Sequence, residues 1–169
     1  LLWLNSYFIR SAAAGGGRNL LIDTGFNQPQ CREAQAAARL DLGFGMDDTD
    51  IFLTHAHSDH TGLAQELAQP GNRVYCDAHT AQYALGADQQ KRWQAFLAMR
   101  RESGLPEIEL TQHPGYKFGS RPLENPGQMH IIKDGDRIRA GGLELICVST
   151  PGHAPEHICL YLPARRILF

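Results

Sequence analysis

Three histidines and an aspartate fall within the segment Thr54-His55-Ala56-His57-Ser58-Asp59-His60-Thr61-Gly62, directly after the apolar run Ile51-Phe52-Leu53. The whole chain has only eight histidines, so this density is not a product of composition. The run is compact enough for a buried strand, and the polar cluster must therefore emerge where that strand leaves the core. His55 and His57 are two residues apart, and any extended backbone points both imidazoles to one side. Two neutral imidazoles converging on a point suit a borderline cation such as zinc, bound at about 2.0–2.1 Å. Asp59 and His60 follow at the strand-to-helix turn, where curvature brings them to a second point nearby.

A second histidine loop, Thr150-Pro151-Gly152-His153-Ala154-Pro155-Glu156-His157, follows the apolar stretch 145–149. Catalytic and binding groups commonly sit on loops held at the ends of scaffold strands. Pro151 and Gly152 fix a turn that leaves His153 projecting inward. Three histidines with an open fourth position form a known pattern of catalytic zinc. His157 reads as a residue behind the ligands or at the surface rather than as a ligand.

Around these loops, residues 1–9 and 19–23 read as strands joined by an Ala/Gly-rich hairpin. Pro29 suits the first turn of a helix continuing to residue 40. Helical spacing recurs over 63–68, 80–85 and 88–103, where Trp93, Phe96 and Leu97 share a face that reads as core packing. Residues 105–128 carry Pro106, Pro114, Pro122 and Pro126 and read as a loop-rich insertion, with Tyr83, Trp93, Tyr116 and Phe118 as candidate walls of a substrate pocket. Strands resume over 130–133, 137–139, 143–149, 157–162 and 166–169, with Asp134-Gly135 and Gly141-Gly142 as tight turns. Strands, then helices, then strands again predict a layered α/β architecture.

With 169 residues, 43% of them apolar, the chain is of a size to form one domain with its own core. A net charge of −2 offers no electrostatic reason to expect nucleic acid or an anionic membrane as partner. Cys31, Cys76, Cys147 and Cys159 lack paired spacing, and Cys147 lies in an apolar run as a free buried thiol. No stretch reaches the length of a membrane span, and no leader is visible, so a cytoplasmic compartment is the expectation.

The H-x-H-x-D-H cluster followed by the P-G-H turn resembles the metallo-β-lactamase superfamily, of the hydroxyacylglutathione-hydrolase-like type. Leu21-Ile22-Asp23-Thr24-Gly25 is similar to that family's strand-ending D-T-G motif, and the resemblance runs from about residue 20 to 169, the 80–128 insertion excepted. It implies an αββα sandwich with a dinuclear metal site between the sheets. His55, His57 and His153 would hold one metal, and Asp59 and His60 the other. Family members add a bridging aspartate after a strand resembling Arg166-Ile167-Leu168-Phe169 and a further histidine near the C-terminus. This chain ends at Phe169, which leads to the expectation of a longer parent. Asp23 either orients a histidine through its free ring nitrogen or is a solvated strand-end aspartate.

The resemblance thus implies a hydrolase that attacks an ester, thioester or lactone of small size with metal-activated water, Asp59 assisting proton transfer. Zinc is the expected metal, two per intact enzyme, with iron or manganese as substitutes. An iron-dependent persulfide dioxygenase and a catalytically silent metal-binding domain are the rival readings. A nuclease would need a basic, aromatic-interleaved patch, and the insertion shows none.

Overall fold

The structure, a computed structural model, describes residues 4–11, 17–87, 89–111 and 121–169. Its first sheet has the order β1-β2-β3-β4-β5, formed by Tyr7–Ile9, Asn19–Ile22, Thr49–Phe52, Val74–Cys76 and Met129–Ile131. β1 runs antiparallel to β2, and the other three pairings are parallel. Every residue of β2, β3 and β4 is buried, the signature of a parallel sheet covered on both faces. The second sheet, β6-β7-β8-β9, is formed by Arg137–Ala140, Leu143–Ser149, Ile158–Leu162 and Ile167–Leu168 and is wholly antiparallel. Here burial alternates along β6 and β8, so one face meets the core and the other does not.

The period-two geometry of the strands divides the interior into two clusters. Leu20, Ile22, Phe52 and Tyr75 of the first sheet meet Ile138, Leu145, Cys147, Ile158, Leu160 and Leu162 of the second. Leu21, Ile51, Leu53, Val74 and Cys76 point the opposite way, against Met46, Leu63, Leu67, Ala81 and Ala84. Those last residues come largely from α3 (Ala64–Leu67) and α4 (Ala78–Ala84), while α1 (Pro29–Leu42) adds Cys31. Each fully buried leucine or phenylalanine contributes roughly 1.5–3 kcal/mol, so both clusters are substantial sources of stability.

Local signals act as the residue types require. Pro29 opens α1, and Gly43, at φ 65°, ends it by donating its N–H to the Leu40 carbonyl. Gly141 and Gly142, at φ 58° and 77°, form the two-residue turn between β6 and β7. Cys147 is a buried free thiol, and the other three cysteines are also unpaired.

Two expectations change. Residues 105–128 are not all loop: α6 (Glu107–Thr111) and a short 3-10 turn (Pro126–Gln128) lie within them. Trp93, Phe96 and Leu97 of α5 (Gln89–Glu102) are half-buried and belong to neither core cluster. Trp93 stacks on Phe96, and Arg92 lies over the Tyr83 ring, so this helix is held by local ring contacts. The expected layered α/β sandwich is present: the two sheets share one core, and helices cover the outer face of the first. On the outer face of the second, Ile146, Val148, Cys159 and Tyr161 are half-buried. Tyr116 and Phe118 lie outside the described residues.

Candidate metal centre

The parallel strands β2 and β3 end side by side, and the loops that leave their carboxyl ends build the site, as in other open α/β sheets. The β7–β8 loop approaches from the second sheet. Its base is closed by the Thr150 N–H to the His157 carbonyl at 2.9 Å, and the Ile158 N–H reaches across to the Thr54 carbonyl at 3.0 Å.

Three ring nitrogens converge. His55 Nε2 lies 3.1 Å from His57 Nδ1, which lies 3.0 Å from His153 Nε2. All three ligand atoms fall within 4.8 Å of one another. Donors about 2.0–2.1 Å from a tetrahedral ion stand roughly 3.3 Å apart, so the His55–His57 and His57–His153 separations suit ligands of one small cation. His55 is buried, whereas His57 and His153 are exposed, which leaves the cluster open on one side.

Asp23 sits behind the histidines and organises them. Its Oδ1 accepts the Thr54 N–H at 2.9 Å, and its Oδ2 accepts the Thr54 hydroxyl at 2.9 Å and the His60 Nδ1–H at 2.6 Å. The Thr54 hydroxyl proton is thereby committed to the carboxylate. Thr54 Oγ1 also lies 3.0 Å from His55 Nδ1, so it accepts a proton from that nitrogen. His55 consequently carries its proton at Nδ1 and presents the lone pair of Nε2 to the centre. His60 is fixed the same way, with Nε2 free and 3.5 Å from Asp59 Oδ2. One buried carboxylate sets two tautomers, one directly and one through a hydroxyl.

The electrostatics agree. Burial, together with His60, His57 and His157, pushes the His55 pKa down to about 4, which keeps it neutral and able to ligate. Burial opposes charge on His60, but the hydrogen bond and charge of Asp23, with Asp59 beyond, hold it above its ordinary value. His157 is pushed down, chiefly by burial. Its Nδ1 lies 2.8 Å from Thr150 Oγ1, and its ring centroid is 5.0 Å from that of His55. It therefore backs His55 rather than joining the three converging nitrogens.

The scaffold beneath is tightly specified. Asp23 holds φ 57°, a left-handed conformation that aspartate tolerates better than most residues. Thr24 N–H and Oγ1 both donate to the His60 carbonyl at 2.8 Å, and Thr24 Oγ1 accepts the Leu63 N–H at 3.1 Å. This pins α2 (Ser58–Thr61), which begins immediately after His57. A Cβ on Gly62 would stand 2.5 Å from both Asn27 N and Ser58 O and 2.6 Å from Gly25 O, so only glycine fits there.

The structure thus brings His55, His57 and His153 together and sets Asp59 and His60 beside each other. Asp23 lies behind both sets. Sequence reasoning does not single out Thr54 or Glu156. A hydroxyl at the last residue before His55, and an acid among Ala154, Pro155 and His157, are the only local signals.

Comparison with known proteins places these features in a wider group. The chain is 25% identical over 165 residues to an atrochrysone carboxyl ACP thioesterase of Cryptosporiopsis sp., covering 98% of this chain and 36% of that protein. It is 25% identical over 151 residues to a hydroxyacylglutathione hydrolase of Xanthomonas euvesicatoria, covering 89% of this chain and 40% of the relative. This chain therefore spans well under half the length of these relatives. A metallo-beta-lactamase family protein from Thermus thermophilus superposes with a TM-score of 0.71 at 26% identity, over 98% of this chain and 52% of that one. The FEZ-1 metallo-beta-lactamase of Legionella gormanii shares the fold, with a TM-score of 0.63 at 19% identity, over 93% of this chain and 50% of its own. The family profile matches residues 4–169, and the chain belongs to the metallo-beta-lactamase superfamily.

Proposed function

We propose that this chain carries the metal-binding part of a metallo-hydrolase acting on thioesters. The observation that carries the reading is the convergence of His55 Nε2, His57 Nδ1 and His153 Nε2, with one side of the cluster open. The relatives named above as a thioesterase and a hydroxyacylglutathione hydrolase support thioesters over other acyl compounds.

Three imidazoles with a nearby carboxylate fit zinc, and His55, His57 and His153 would hold it. Asp59 and His60 would supply two protein donors to a second ion. Bound zinc lowers the pKa of a contacting water from 15.7 to about 7 and so makes a nucleophile available at neutral pH. The residues of this chain do the rest. Asp23 and Thr54 hold the His55 and His60 rings in place, and His55, whose pKa is lowered, presents its lone pair without first losing a proton. Asp59, half-buried at the start of α2, is placed to take up a proton or to orient the nucleophile. The exposed faces of His57 and His153 leave room for an acyl group to approach.

The test uses protein purified without chelator or a metal-affinity tag. Elemental analysis is expected to find zinc. Release of thiol from an S-acylglutathione probe is expected to vanish in His55→Ala together with the metal. Hydrolysis that persists at the wild-type rate in a metal-free His55→Ala protein sinks the reading.

Among the described residues, no helix is long and apolar enough to cross a membrane.

A further inference from the structure

Glu156 lies three residues beyond His153 in the same turn, and its side chain is only 7% exposed. Its Oε1 accepts the backbone N–H of Ala56 at 3.2 Å, across 100 residues of sequence. Ala56 is itself buried and stands between His55 and His57. Nearby, the Ile158 N–H donates to the Thr54 carbonyl, so two hydrogen bonds stitch the β7–β8 loop to the histidine loop of the first sheet. One is between main chains. The other depends on a single side chain, the Glu156 carboxylate that accepts from Ala56 N–H. His79, in the first turn of α4, places Nδ1 3.5 Å from the same Oε1. Glu156 Oε2 is buried with no hydrogen-bond partner among the described residues. One oxygen holds the loop, and the other is idle.

We propose that Glu156 is a positioning residue for the metal centre: it sets the separation between the His55–His57 pair and His153 by holding Ala56 N–H from the opposite loop. This role rests on the reading of His55, His57 and His153 as metal ligands. Its reasoning is geometric. His57 Nδ1 and His153 Nε2 stand 3.0 Å apart although they belong to loops of different sheets. A buried N–H that loses its acceptor relaxes toward water, and the turn between His55 and His57 moves with it. Residues that orient ligands from behind typically change metal affinity by about 10–100-fold.

The experiment measures cobalt(II) affinity by chelator competition and the visible cobalt absorption, which reports coordination geometry. Glu156→Met preserves volume but accepts no hydrogen bond, and it is expected to lose about tenfold or more in affinity and to alter the spectrum. Glu156→Asp keeps the charge but falls short of Ala56, and it is expected to lose affinity similarly. Glu156→Gln retains the acceptor and is expected to stay within about threefold of wild type. Circular dichroism of the metal-free proteins separates loss of geometry from loss of fold, and the Asp and Gln variants decide the matter if the Met variant is unfolded. Wild-type affinity and spectrum in Glu156→Asp, or an equal loss in Glu156→Gln, overturns the proposal while leaving the centre intact. A wild-type chain that binds no cobalt removes the centre and this role with it.

Discussion

Asp23→Asn is the most informative single change, because it alters two protons' positions without altering shape. Asparagine tolerates the left-handed backbone at φ 57°, so the turn is expected to survive. Its Oδ1 can still accept the Thr54 N–H. The second position becomes an NH2, which donates where Oδ2 now accepts from Thr54 Oγ1 and His60 Nδ1. His60 must then turn its lone pair toward residue 23 and carry its proton at Nε2, on the side of Asp59. The Thr54 hydroxyl is released to donate to His55 Nδ1, which drives the His55 proton onto Nε2. Both imidazoles would then present N–H where an ion needs a lone pair.

The magnitude follows from the bonds lost. A hydrogen bond to a charged group contributes about 1.5–3 kcal/mol, and two are removed, with part regained because the new amide can donate to Thr54. The metal-free chain is therefore expected to lose about 2–4 kcal/mol in urea unfolding. Metal affinity is expected to fall about 10–100-fold, the range for groups that orient ligands from behind. Zinc affinity measured against a chromogenic chelator provides the assay. Affinity of Asp23→Asn within about twofold of wild type, in a folded protein, would refute the tautomer reasoning.

Related changes divide the same network. Thr54→Val removes the acceptor for His55 Nδ1 and one of the three donors to Asp23, and is expected to weaken zinc binding by about tenfold, while Thr54→Ser keeps the hydroxyl and stays near wild type in the same titration. Gly62→Ala places a Cβ against three backbone atoms at 2.5–2.6 Å, so urea unfolding is expected to show a loss of about 3 kcal/mol despite alanine's better helix propensity. Protonation of His55 supplies a pH dependence. Its folded pKa of about 4 lies below the unfolded value near 6.5, so the unfolded metal-free chain binds more protons in between. His55 therefore lowers stability progressively as pH falls from about 6.5 to 4, by at most about 3 kcal/mol. His60, whose pKa is raised, acts in the opposite sense, favouring the fold below its unfolded value and losing that contribution as pH rises through its folded one. Urea midpoints of metal-free wild type and His55→Gln at about pH 7 and pH 5 check this, and identical pH dependence in the two proteins counts against it.

The histidine loops are legible in the sequence because their geometry is local. Residues 55 and 57 share a side on any extended backbone, and Pro151-Gly152 turns the chain before His153 wherever the loop lies. The central strands are legible for a related reason, since Leu20-Leu21-Ile22 and Ile51-Phe52-Leu53 are continuous apolar runs, whereas their parallel pairing is seen only in the structure. Less legible is whatever depends on what lies opposite. The prolines around residues 106–126 suggest loop, yet Glu107–Thr111 forms a helical turn after Pro106, a residue that suits a helix start as well as a break. Trp93, Phe96 and Leu97 have the spacing of a core face, but they join neither core cluster; Trp93 stacks on Phe96, and Arg100 lies over the Phe96 ring.

The residues that make the centre specific are the hardest to see, because each acts through a partner distant in sequence. Asp23 reaches His60 across 37 residues, and Glu156 reaches Ala56 across 100. Both are buried carboxylates, which are costly unless several donors face them. Asp23 meets that condition with three donors. Glu156 does so at one oxygen and not at the other. A buried acid with an idle oxygen is a poor device for stability alone, since a volume-matched apolar residue would pack there without desolvating a charge. Its place beside a histidine turn is better explained by the position it imposes on Ala56, and through Ala56 on the two nitrogens that must meet His153.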